Sequence, residues 1–205
     1  MLLTAAASAS TASAAISYEI AGTFNGTTFG GISIGDSFEI TLTINETVVD
    51  TENSNREALF GGAVTQFDFD LENGAFTYTS SGVENIQGDD DPFFDFDSVT
   101  FFAPGSFPEL GGFQIENIFL DFEVPHNPGA PVNDTGLGQT YSSMVTSLTN
   151  ASAWDNYADA DFVIRGPFGL SMSGDVTSVQ QPVPEPAALS GLFGLAALGL
   201  ARRRS

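Results

Sequence analysis

Apolar side chains recur at every second position along most of this chain, and no other feature narrows its fold as far. In Phe38-Glu39-Ile40-Thr41-Leu42-Thr43-Ile44 the alternation is unbroken. Phe67-Asp68-Phe69-Asp70-Leu71 repeats it, as do Phe76 with Tyr78, Ile118 with Leu120 and Phe122, and Phe162 with Ile164. Tyr18, Ile20 and Phe24 share one face of an earlier segment. Successive side chains of a strand point to opposite faces, so a period of two describes a strand with one face in a core and the other in water. Antiparallel sheets are built from such strands.

Turn chemistry separates the segments: Asn25-Gly26, Gly30-Gly31, Asn73-Gly74, Pro104-Gly105, Gly111-Gly112 and Asn127-Pro128-Gly129. Asn73-Gly74, between Phe67–Leu71 and Ala75–Thr79, suits a hairpin. The expected fold is all-β, a single antiparallel β-sandwich of jelly-roll type with about eight to ten strands. Phe38, Ile40, Leu42, Phe67, Phe69, Ile118, Leu120, Phe122, Phe162 and Ile164 should face inward. Tyr141, Met144, Val145 and Leu148 have helical spacing, which puts a short helix within Gly138–Trp154; Pro125–Gly138 reads as a loop.

Composition excludes several kinds of chemistry. The net charge is −21, yet 42% of the residues are hydrophobic and nineteen are Phe, too apolar a mixture for a disordered chain. There is no lysine, so neither a P-loop lysine nor a Schiff base is available. Outside Arg202, Arg203 and Arg204 the only cations are Arg56 and Arg165. Such a body repels nucleic acid, anionic membranes and acidic polysaccharides unless a cation bridges them. Without cysteine, disulfides, thiolate catalysis and zinc–thiolate sites are absent too.

Catalytic constellations are hard to assemble from what remains. The single histidine, His126, stands in Pro125-His126-Asn127-Pro128-Gly129, a turn sequence, and no nucleophile elbow accompanies it. Carboxylates are abundant, but no spacing singles out a pair for glycoside hydrolysis, and Asp68 and Asp70 read as the wet face of a strand. The acidic knot Asp89, Asp90, Asp91, Asp95 and Asp97 is more distinctive. Its carboxylates repel one another unless solvent or a cation screens them. Calcium takes six to eight oxygen ligands that loops between strands can supply, and Asp155, Asp159 and Asp161 offer more. The spacing is not that of an EF-hand, and a solvated acidic loop is the preferred reading over a calcium site. Trp154 is the only tryptophan, and phenylalanine at alternating positions reads as core rather than as a sugar-stacking platform.

The two ends read as address labels. Residues 1–15 are mostly Ala, Ser and Thr after Met1-Leu2-Leu3, and Ala12-Ser13-Ala14 fits a signal-peptide cleavage site, with Ala15 or Ile16 as the mature start. No basic n-region precedes it, so this is read as a truncated signal peptide or leader. Residues 16–181 form the body. Residues 182–205 have three parts: Pro182-Val183-Pro184-Glu185-Pro186, the uncharged run Ala187–Ala201, and Arg202-Arg203-Arg204-Ser205. As a helix the run would be about 22 Å long, short for a bilayer core of about 30 Å. The arginines should stay on the cytoplasmic side, leaving the body across the membrane. The prolines hold an extended stretch at the outer surface.

This tail resembles the PEP-CTERM sorting signal, with Pro184, Glu185 and Pro186 as the motif and Arg202, Arg203 and Arg204 as the basic stop. The resemblance implies a Gram-negative bacterium that makes exopolysaccharide. It also implies an exosortase, a membrane protease-transpeptidase that removes the tail, as a partner, with transient residence in the inner membrane. The expectation is a non-enzymatic exported protein of the cell surface or extracellular matrix. A calcium-dependent carbohydrate-binding module and a glycan hydrolase are the alternatives.

Overall fold

In the computed structural model, residues 15–26, 30–53, 56–71, 76–80, 82–91, 96–125, 139–141, 145, 148–149 and 160–181 are described. They form eleven strands: β1 Ala15–Phe24, β2 Ser37–Asn45, β3 Glu57–Leu71, β4 Thr77–Tyr78, β5 Glu84–Asp91, β6 Phe96–Phe102, β7 Glu109–Leu110, β8 Phe113–Gln114, β9 Asn117–Pro125, β10 Ala160–Arg165 and β11 Ser171–Gln180. All pairings are antiparallel. The order β2-β1-β11-β10-β9-β6-β5-β3 returns to its start because β3 also pairs with β2. The sheet is therefore a closed eight-stranded barrel, with β4 added beside β3 and a small β7–β8 hairpin outside.

This corrects the expected β-sandwich. Alternation describes a strand with one wet face, and a closed barrel meets that condition as well as two packed sheets do. Closure depends on two long-range pairings, β1 with β11 and β2 with β3, which no local pattern announces. The C-terminal hydrophobic helix lies outside the described residues, and among these no helix is long and apolar enough to cross a membrane.

The ten residues expected to face inward are all buried. An eight-stranded barrel has an interior just wide enough for side chains to fill, and phenylalanine fills this one. Phe38 lies 4.8 Å from Phe162 and 5.3 Å from Phe24, centroid to centroid, and Phe69 lies 5.1 Å from Phe162. Space for Phe38 comes from the wall: a Cβ added to Gly174 would lie 2.8 Å from the Phe38 ring. The core glycine is thus a packing partner of the aromatic cluster.

One end of the barrel carries Ala15, Asn45, Glu57, the β5–β6 hairpin, Pro125, Ala160 and Gln180; the antiparallel registers place them together. Tyr141, Val145 and Leu148 are buried there. The Tyr141 ring stands edge-on to Phe60 and Phe101. Val145 N–H donates to Tyr141 C=O at 2.9 Å, the spacing of the expected helix; most of Gly138–Trp154 lies outside the described residues. Asp50 fastens the β2–β3 connection: its Oδ1 accepts Glu52 N–H at 2.9 Å and Leu59 N–H at 2.8 Å.

The opposite end carries the β1–β2 and β10–β11 connections and the β7–β8 hairpin. Gly111-Gly112 makes the hairpin turn there. The β3–β4 hairpin forms as expected, Phe69 pairing with Tyr78, while its Asn73-Gly74 turn is outside the described residues. Tyr78 Oη donates to Pro104 C=O, tying β4 to the β6–β9 connection.

Candidate functional site

Four of the five aspartates of the acidic knot belong to strands rather than to a loop. Asp89, Asp90 and Asp91 belong to β5 and Asp97 to β6, with Asp90 opposite Asp97 in register. Asp97 is fully buried at 0% exposure, where the solvated reading had it in water. Burying a carboxylate is costly unless partners hold it. Asp95 lies outside the described residues, as do Asp155 and Asp159. Among the described residues no three carboxylates or histidines converge tightly enough to hold a metal ion. His126, Trp154 and the tail residues Pro184, Glu185, Pro186, Arg202, Arg203 and Arg204 also lie outside the described residues.

The strand pairing assembles a second acidic feature that spacing along the chain did not show. Asp121 on β9 stands opposite Asp161 on β10, and Asp161 stands opposite Asp175 on β11. Three aspartates thus form a row across the outer wall. Thr100 Oγ1 donates to Asp121 Oδ1 at 2.7 Å, and Asn25 Nδ2 donates to Asp175 Oδ1. Burial pushes the Asp121 carboxyl above its ordinary value, while hydrogen bonds with Thr100 and Glu123 and the charge of Arg165 pull it down.

A half-open groove of about 440 Å³ crosses the wall on β11, β1, β2, β3 and β4. Glu19, Glu39, Thr41, Asp68, Asp70 and Thr77 line it. Their positions follow from register: Glu39 faces Asp70, and Thr41 faces both Glu19 and Asp68. Asp68 accepts from Gln66 Nε2 at 2.7 Å and Ser80 N–H at 2.9 Å, and Asp70 from Thr77 Oγ1 at 3.1 Å. These two carboxylates are fixed hydrogen-bond acceptors on the wet face of β3, as their alternation predicted.

Phe168 escaped the sequence reading, which took phenylalanine as core. It is 100% exposed, and its φ of 60° lies in the left-handed region. Few non-glycine residues adopt that conformation, which costs of order 1–3 kcal/mol. It sits in the turn Gly166-Pro167-Phe168-Gly169 between β10 and β11. That turn sequence was its only signal, because a phenylalanine between Pro and Gly is off any strand period. Ile34, 71% exposed, and Phe113, 39% exposed, belong to the other connections at the same end. This apolar rim is opposite the end from which residues 15 and 180 emerge.

These features define a filled antiparallel barrel with an acidic wall, an apolar rim at one end and the first and last described residues, Ala15 and Gln181, at the other. A family model of the PEP-CTERM protein-sorting motif matches residues 182–205, so the chain carries that sorting motif after the barrel. The motif marks it for export and membrane-anchored sorting by an exosortase-type enzyme. Neither a curated protein nor a solved structure matches the chain.

Proposed function

We propose that the barrel is a non-enzymatic binding or structural module, delivered through its tail to the cell surface or exopolysaccharide matrix. The observation that carries this reading is the polarity of the barrel. Gln181, the last described residue before the sorting motif, lies at one end, and Ile34, Phe113 and Phe168 are exposed at the other. The filled interior supports it, since phenylalanine occupies the space where a barrel that encloses a ligand would hold it.

A calcium-dependent carbohydrate-binding module is the second reading. The row Asp121, Asp161 and Asp175 favours it as a diffuse attraction rather than a chelating site: the three do not converge on one ion, but a wall of this charge concentrates divalent cations that bridge to an acidic polysaccharide.

The purified protein should bind matrix polysaccharide without releasing reducing ends. Phe168→Ser should weaken that binding by about tenfold, the effect of losing one aromatic contact of roughly 1.4 kcal/mol. Binding abolished by a calcium chelator would favour the second reading. Release of sugar, lost on substituting one carboxylate, would make the protein a hydrolase. Intact-mass measurement of the exported form should show residues 187–205 removed, and arginines 202–204 still attached would sink the sorting part.

A further inference from the structure

The wall beside the apolar rim carries a second groove, of about 490 Å³, where β5 and β9 begin and β6 ends. Ligand clefts are commonly of this size. Its floor is the outward face of the sheet. Ile86, Phe101 and Ile118 are buried in the core, so their neighbours Asn85, Gln87, Phe102 and Asn117 face outward and line the groove. Phe102 thus stands on the wet face, off the period that buries Phe101.

Neighbouring contacts hold each part of the groove in place. The Phe102 ring lies 5.9 Å from that of Phe119, and the Arg165 guanidinium lies 4.8 Å from the Phe119 ring, an aromatic patch on the outer wall. Asn85 Oδ1 accepts Gly62 N–H at 3.3 Å, so the β3 bulge orients this carboxamide and its own N–H groups remain for the groove. The far side is the β6–β7 connection, which contributes Phe107. Tyr78 Oη donates to Pro104 C=O, Gln114 Nε2 donates to Phe107 C=O at 2.7 Å, and the Phe107 ring lies 5.3 Å from that of Tyr78. Little ordering is left for a ligand to impose.

We propose that this groove is a glycan subsite for an uncharged hexose. The proposal rests on the reading of the barrel as a module that binds matrix polysaccharide, and it gives that binding a place. A pyranose has an apolar C–H face and a belt of hydroxyls. The Phe102 ring matches the face, because it offers a large apolar surface that loses little freedom on binding. A carboxamide both donates and accepts, as a hydroxyl does, so Asn85, Gln87 and Asn117 suit the belt. Glu84 and Glu116 only accept, and with a net charge of −21 behind them they repel a uronate or a phosphate. No cation is required, which separates this subsite from the calcium-dependent reading.

The test titrates the purified full-length protein, in detergent micelles, with tetramers of glucose, mannose and galactose and with a hexuronic acid tetramer. At least one neutral tetramer should bind, shift the side-chain amide signals of Asn85, Gln87 and Asn117, and bind equally well with a chelator present. The hexuronic acid tetramer should bind about tenfold more weakly or not at all. Gln87→Ala should weaken neutral binding roughly twofold to tenfold, the scale of one net hydrogen bond. Phe102→Leu should weaken it by about tenfold. Gln87 is exposed, so its variant tests the groove whatever Phe102→Leu does to packing. Undiminished binding by Gln87→Ala, a preference for the hexuronic acid, or loss of binding to the chelator would overturn the subsite. If the native protein binds matrix polysaccharide but no neutral tetramer, the subsite fails and the module reading stands. If it binds neither, both fail.

Discussion

Asp121 shows how the outer wall handles its charge. The residue is half-buried between Thr100 and Asp161, and its carboxyl is raised because burial disfavours the ionised form. A carboxyl raised in the folded state holds its proton more tightly there than in the unfolded chain. Its contribution therefore favours folding below the ordinary aspartate value of 3.8 and is lost as the pH rises through the raised value. Asp121→Asn keeps an acceptor for Thr100 and removes one charge from the row. It should stabilise the barrel by about 0.5–1 kcal/mol at neutral pH, the scale of a like-charged cross-strand pair. The gain should shrink toward zero near about pH 4, where aspartate is half-protonated in the unfolded chain. Thermal melts of the two proteins at both pH values check this, and a larger gain in acid would contradict it. No reading along the chain could have found this row, because Asp121, Asp161 and Asp175 meet only through the β9–β10–β11 register.

Among the strands, β3 decides between a sandwich and a barrel. Its fifteen residues pair with β5 through Glu57–Val64 and with β2 through Val64–Leu71. Two irregularities let one strand serve both neighbours. Phe60 pairs with Ile86 and Val64 with Glu84, so β3 holds surplus residues at Gly61-Gly62; a second shift faces Thr43 and Ile44. Inward positions change from Ala58 and Phe60 to Phe67, Phe69 and Leu71 across these bulges. Bulges of this kind bend a strand and raise its twist, as closure requires. Gly62, with φ at 73°, sits at the bend, and an alanine there would carry a Cβ in the left-handed region. Gly62→Ala should destabilise the barrel by about 1–2 kcal/mol, read as a lower denaturation midpoint with an unchanged slope. A neutral effect would mean that the bend does not depend on this glycine. The clean alternation of Phe67–Leu71 made half of β3 legible, whereas Glu57–Val64 broke the period and hid the other half. The β5–β6 hairpin was hidden for a related reason: its aspartates read as loop, and only pairing shows that they continue strands containing Ile86, Val99 and Phe101.

The barrel is closed by its first and last strands, so in the sequence the sorting motif directly follows one strand of the closing seam. Ala15, where β1 begins, coincides with the expected mature start, and Gln180 ends β11 two residues before the sorting segment. The acidic β5–β6 hairpin lies at the same end, and the apolar rim at the other. The sorting motif was legible because its meaning is linear, while the helix expected of residues 187–201 lies outside the described residues. The barrel was legible only to the level of strands and core, because closure joins residues some 160 positions apart and loop closure leaves no local mark. This topology makes a sharp prediction about truncation. A chain ending at Gln181 keeps every barrel pairing and should melt within about 3 °C of the full-length protein. A chain ending at Leu170 loses β11, which pairs with both β1 and β10. It would expose two long strand edges and one side of the cluster formed by Phe24, Phe38 and Phe162, a state prone to edge-to-edge association. It should show no cooperative transition by circular dichroism. A cooperative melt in that shorter chain would mean that β1 and β10 can close the barrel without β11.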